Sequence, residues 1–154
     1  MELPAKCSLK FKMSVSFHVA DVTFNLKNKL KLKQFIAHQF KAKTQKNISL
    51  SVVLCSDEYL LNINKQFLQH DYFTDIITFP LEETPRKTTA EIYISLDRIW
   101  DNAQKQKVEF DEEFHRVLFH GIIHLAGFKD KTKSEREVMT KQEDIWLADF
   151  EKSS

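Results

Sequence analysis

The chain reads as a single α+β domain, a mixed sheet of about four strands with about five helices packed on it, spanning residues 1–154. Three observations predict this. Four short stretches alternate apolar and polar residues with period two, the mark of half-buried strands. Amphipathic helical segments follow the first and second of them. Everything after Ser95 has helical periodicity, which segregates the helices from the strands. A hydrophobic content of 42% with 29% charged residues is that of a globular domain, and 154 residues suffice to bury a core.

Leu9, Phe11, Met13, Val15, Phe17 and Val19 are apolar at every second position and predict the first strand. A lysine-rich helix follows from about Asn28 to Lys43, with Leu32, Phe35, Ile36 and Phe40 on its apolar face. Ile48, Leu50, Val52 and Leu54 form a second strand, and Ser56 caps a helix running to about Phe67. DIITF (75–79) is a short strand that Pro80 should stop, and AEIYIS (90–95) is its hairpin partner across a polar loop. Helices are then expected over 96–106, from Asp111 as N-cap, and over 133–150.

No apolar run approaches the length of a membrane span, and no apolar stretch near the N-terminus resembles a secretory signal. Cys7 and Cys55 are too few for a disulfide framework, so a cytoplasmic protein without membrane contact is expected. Charge is unevenly divided. Residues 1–50 carry ten lysines against Glu2 and Asp21, a balance of +8; the chain totals +1, so the remainder carries −7. A basic third can be a solvated face or a footprint for phosphate backbones.

The segment HGIIHLAGFKD (120–130) holds both of the chain's glycines and two of its six histidines. Average usage would place about eleven glycines in such a length. His120 and His124 lie four apart on the helix begun at Asp111, about 40° apart around its axis, so both imidazoles face one point. Gly127 stands where a helix ends in a left-handed conformation, letting the chain return Asp130 to the same point. Ligand, ligand, glycine, ligand at offsets 0, 4, 7 and 10 is the frame of the long zincin motif. The pattern predicts one Zn²⁺, or another divalent metal, held by His120, His124 and Asp130 at the C-terminal end of a core helix. Gly121, inside the helix, implies a packing or access requirement. His115 lies about 140° from His120 and should point elsewhere, while His18 and His38 fall on polar faces and His70 in a loop.

HGIIHLAGF resembles the signature of the YbeY family of metal-dependent endoribonucleases of ribosomal RNA maturation. INKQFLQHDYFTDIITFP (63–80) is similar to that family's second block, and AEIYISLDRIWDNA (90–103) to its third, so the resemblance covers roughly residues 50 to 147. It implies cleavage of single-stranded RNA in 16S rRNA 3′-end processing, with ribosomal RNA and the ribosome or small-subunit proteins as partners and no role for DNA. This chain departs from the family pattern at named positions. Asp130 stands where the third ligand is usually histidine and Lys129 where aspartate is usual. Leu68 replaces an arginine viewed as a substrate or catalytic residue, and Ala90 a glycine.

Two imidazoles and a carboxylate leave a fourth position open, as in catalytic sites. A peptidase of this frame would use a glutamate after the first histidine as base, and Gly121 occupies that position. Asp75 and Glu91, near the starts of their strands, are the candidate bases. Lys129 and Arg98 could place positive charge at the phosphate. Lys29, Lys33 and Lys41 could form one wall of an RNA path. Alternatives are a metal-stabilised module that docks on the ribosome without cleaving, and a metallohydrolase of another substrate class.

Overall fold

The computed structural model describes residues 14–153. Leu9, Phe11 and Met13, the first half of the alternation expected for the opening strand, lie outside them. The order of elements is β1 (Ser14–Val19), α1 (Lys29–Thr44), β2 (Asn47–Cys55), α2 (Asp57–Ile63), β3 (Ile76–Glu83), β4 (Lys87–Ser95), α3 (Leu96–Gln106), α4 (Phe110–Leu125) and α5 (Lys133–Lys152). A wider, π-type turn (Asn64–Leu68) extends α2, so the α2 segment reaches as far as its sequence suggests.

The sheet runs β1-β2-β4-β3. β1, β2 and β4 are parallel, and β3 joins β4 antiparallel as the expected hairpin. Period-two alternation survives folding because only one face is thoroughly dry. Ile48, Leu50, Val52 and Leu54 of β2 and Ala90, Ile92 and Ile94 of β4 are all at most 5% exposed on that face. There they meet Leu32, Phe35, Ile36 and Phe40 of α1 together with α4 and α5. The opposite face carries a smaller cluster around Cys55, Leu60 and Ile77, covered by α2.

Several boundaries differ from expectation, among them the start of β4 at Lys87 rather than Ala90, and two of the others have a local cause. β3 does not stop at Pro80 but continues to Glu83, because it is an edge strand and its register shifts between Pro80 and Glu82. A proline at a bulge on an edge deprives no ladder of a needed donor. The α4 helix begins at Phe110 with Glu109 at the cap position, and no side chain caps it. Asp111 therefore sits in the first turn, where its charge still favours the helix dipole. The C-terminal helix is capped as a box: Thr132 accepts from the Glu135 amide, and the Glu135 carboxylate accepts from the Thr132 amide.

Candidate metal centre

Helix α4 carries the centre, and its close approach to the sheet depends on Gly121. A Cβ there would lie 2.7 Å from Ile76 Cδ1, 3.1 Å from Ile92 Cδ1 and 3.2 Å from Thr78 Oγ1. The missing side chain lets the helix lie on β3 and β4, with His120 directed along the β3 side. Gly127 answers a different need. Its φ is +109° and nothing lies within 4 Å of where a Cβ would be. Gln45, Gln69 and Lys107 end their segments in the ordinary left-handed region, at φ of 62°, 58° and 60°. Gly127 lies beyond that region, where side-chain-bearing residues are strained.

The turn at Gly127 brings Asp130 back as the spacing predicts. Asp130 Oδ2 lies 3.4 Å from His120 Nε2 and 3.1 Å from His124 Nε2. One ligand atom from each residue falls within 4.8 Å of the others, so the three could hold a metal ion. Tetrahedral ligands at about 2.0–2.2 Å from zinc lie roughly 3.3 Å apart, close to the two histidine–aspartate separations.

The other ring nitrogens are already committed. His124 Nδ1 lies 2.9 Å from the Phe128 carbonyl oxygen, which can only accept, so Nδ1 donates. His120 Nδ1 lies 2.6 Å from Glu143 Oε2 on α5. Both Nε2 lone pairs are thus turned toward Asp130, the arrangement that orients imidazole for a metal. Glu143 is itself held by Arg116, whose Nη1 donates to Oε1 at 2.9 Å while Nη2 donates to Asp144 at 2.7 Å. Burial acts to lower the pKa of His120, but the hydrogen bond and charge of Glu143, with Asp130 and Asp75 adding, outweigh it and hold the pKa above its usual value.

Glu143 and Arg116 are not apparent from the metal motif. A signal did exist: the buried stripe of α5 is Met139, Glu143, Trp146 and Phe150, an acidic residue at a core position.

Beside His120 opens a cavity of about 180 Å³ lined by Asp75, Glu113, Arg116 and Glu143 together with apolar Ile76 and Val117. Asp75 thus shares this cavity with His120. Asn102 donates to Asp75 Oδ2 at 3.2 Å. Burial raises its pKa, opposed by the charge of His120 and by hydrogen bonds. Burial likewise raises Glu113.

Glu91 is elsewhere. It shares the far face of the sheet with Phe79 and Tyr93, and the Tyr93 hydroxyl donates to it at 3.1 Å. The period-two strand that buries Ala90 and Ile92 against α4 turns Glu91 away, so it cannot act as a base at His120. Arg98 is also engaged: its Nε donates to both oxygens of Asp57 at 3.1 Å and its Nη1 to Asp101 at 3.0 Å. Two carboxylates already occupy the guanidinium proposed for phosphate. Lys129 is exposed next to Asp130.

Of the α1 lysines, Lys43 reaches the segment that follows α4, its Nζ lying 5.7 Å from the ring centroid of Phe128. Lys41 Nζ donates to Asn47 at 3.3 Å, and Lys29 lies at the opposite end of the helix beside Phe17 and His18. Lys33 is half-buried along it. His115 points away from the centre, as expected, into Phe119 and Phe150, where burial lowers its pKa.

The endoribonuclease YbeY family profile matches residues 14–151. This chain belongs to the YbeY family. It is 42% identical over 135 residues to an endoribonuclease YbeY of Cytophaga hutchinsonii, covering 88% of this chain and 94% of that one. It is 38% identical over 136 residues to that of Parabacteroides distasonis, covering 88% and 95%. The solution structure of TM1509 from Thermotoga maritima superposes with a TM-score of 0.60 at 23% identity, covering 88% of each chain, a likeness that bears on the fold.

Proposed function

We propose that the chain is a metal-dependent endoribonuclease that hydrolyses phosphodiesters of single-stranded ribosomal RNA. Within the family role, it matures the 3′ end of 16S rRNA during ribosome biogenesis in the cytoplasm, docking on the ribosome or small-subunit proteins. The observation that carries this reading is the cluster His120, His124 and Asp130, with both histidine tautomers set by outside partners, in a chain whose relatives are named endoribonucleases.

These three residues fit Zn²⁺ and would hold it. When bound, such an ion acidifies water and draws charge from a phosphoryl oxygen. The remaining work belongs to the chain. Glu143 and the Phe128 carbonyl hold the imidazoles in register. Asp75, on the cavity wall beside His120, takes the proton of the attacking water, and Asn102 fixes its orientation. Lys129 and the C-terminal lysines of α1 supply positive charge to the phosphates.

Single-turnover cleavage of precursor small-subunit rRNA, with and without chelator, tests the reading. Cleavage should stop with chelator and return with Zn²⁺, and no peptide should be hydrolysed. A metal-loaded protein that binds the RNA and leaves it intact would instead be a ribosome-docking module. Leu68 and the engaged Arg98 favour that second reading, because both remove a guanidinium from the substrate.

A further inference from the structure

The loop from α2 to β3 exposes more apolar surface than the reaction uses. Phe67, Leu68, Tyr72 and Phe73 are 62, 40, 56 and 54% exposed, four large side chains within seven residues. Single exposed apolar residues are ordinary, but a contiguous group marks a contact surface.

The loop's backbone is pinned. Buried Asn64 donates from Nδ2 to the Tyr72 carbonyl at 2.9 Å and accepts at its own carbonyl from the His70 amide at 3.1 Å. The Asp75 carbonyl accepts from the Ser95 amide at 3.0 Å. Two rings are also backed on one side. His70 stacks on Tyr72 with centroids 5.1 Å apart and planes at 18°, and its Nδ1 lies 3.0 Å from the Tyr72 hydroxyl. The Arg98 guanidinium sits 6.0 Å from the Phe73 centroid. A ring held this way loses little freedom when a second flat partner covers it.

Position links these rings to the metal centre. Phe73 precedes Asp75 by two residues, about 7 Å of extended chain, and Asp75 lines the cavity at His120. Charge then selects the part of a nucleic acid that can sit there. Lys65 is paired with Asp71, and Arg98 with Asp57 and Asp101, while the Asp97 carboxylate accepts from the Asp57 amide. A phosphate finds little free positive charge on this rim, whereas a neutral base finds two aromatic faces. We infer that Tyr72 and Phe73 form a stacking platform for the bases of single-stranded RNA at the edge of the metal centre, leaving the phosphates to the lysines of α1. Base stacking on aromatic side chains tolerates sequence, because every base has a π-face. With Leu68 at the position of the family arginine, this rim recognises RNA through its bases. The identity of the ligand rests on the endoribonuclease reading.

Stopped-flow anisotropy with a labelled single-stranded RNA, and with the same oligomer carrying abasic sites, tests the platform before cleavage intervenes. The double variant Tyr72→Leu/Phe73→Leu keeps apolar bulk at exposed positions, and an unchanged thermal melt verifies its fold. It should bind the intact oligomer at least about tenfold more weakly than the parent, while the abasic oligomer binds both proteins alike. Phe73→Trp should keep the parent affinity, and its indole emission should be quenched by the intact oligomer only. Equal affinity of parent and double variant for the intact oligomer would overturn the platform, and is the result expected of a patch that docks a protein. A parent whose binding depends on the platform but which cuts no RNA would uphold the inference and overturn only the nuclease reading.

Discussion

The two sides of the metal cleft are built to different rules. On the α4 side, each histidine has one nitrogen fixed by an acceptor outside the helix, and Glu143, which holds His120, is 7% exposed. On the loop side, Tyr72 and Phe73 stand more than half exposed on a backbone that Asn64 holds through the Tyr72 carbonyl. Metal chemistry needs ligands positioned before the substrate arrives, which a helix face against a dry sheet provides. Recognition of a flexible strand needs accessible surface, which a sheet-edge loop provides. The difference teaches that losses on the α4 side should appear first in metal content, and losses on the loop side in RNA binding with metal unchanged.

The largest effect expected is at the ligands. His124→Ala should take bound metal from about one equivalent per chain to near none by elemental analysis, with cleavage abolished. Full occupancy in a His120→Ala/His124→Ala double variant would remove the centre from these residues. Asp75→Asn comes next, because it separates proton transfer from metal holding. Cleavage should slow about 10²–10⁴-fold while metal content stays at the parent value. Its pH profile supplies a second check. A base must be deprotonated, and burial raises the pKa of Asp75, so the parent rate should rise with pH across a range above ordinary carboxylates. Asp75→Asn should flatten that rise.

A smaller loss is expected at Glu143. It holds the His120 ring through Nδ1, so Glu143→Gln should weaken metal binding about 10–100-fold in competition with a chromophoric chelator. Saturating metal should then restore much of the cleavage. Unchanged metal affinity would mean that the 2.6 Å contact to His120 serves only to join α4 to α5.

Helical and strand periods are local, and what depends on them was legible. Two histidines four apart must share a face, and Gly127 with Asp130 follows within one turn. The sheet was legible because one of its faces is dry. The same period-two rule, applied to Glu91, already turns it away from the face that buries Ala90 and Ile92, so its candidacy conflicted with the strand's own pattern. Contacts between distant parts of the chain were not legible. Glu143 reaches His120 across 23 residues and Arg98 reaches Asp57 across 41, and no local spacing encodes either meeting. The two glycines divide the same way. The left-handed turn at Gly127 is a local requirement, whereas the reason for Gly121 lies in Ile76 and Ile92 on other elements.

The smallest effect concerns the lysines, and it sharpens the contrast between phosphate and base contacts. Lys29 and Lys43 are about 21 Å apart along α1. The C-terminal end of the helix reaches the ring of Phe128, the residue whose carbonyl orients His124, through Lys43. A strand whose scissile phosphate lies at the metal centre and whose neighbouring bases lie on Tyr72 and Phe73 would meet Lys41 and Lys43 before Lys29 and Lys33. Each phosphate contact on a single strand releases counterions and adds about 0.7 to the log–log salt slope. Lys41→Gln/Lys43→Gln should therefore reduce that slope by about 1.4 and weaken all sequences alike by a few-fold. Lys29→Gln/Lys33→Gln should do less. The same titration on Tyr72→Leu/Phe73→Leu should lower affinity without changing the slope, because a stacked base releases no counterion. If both lysine pairs leave the slope unaltered, α1 is a solvated face and the phosphates run elsewhere, with Lys129 the nearest remaining cation to test.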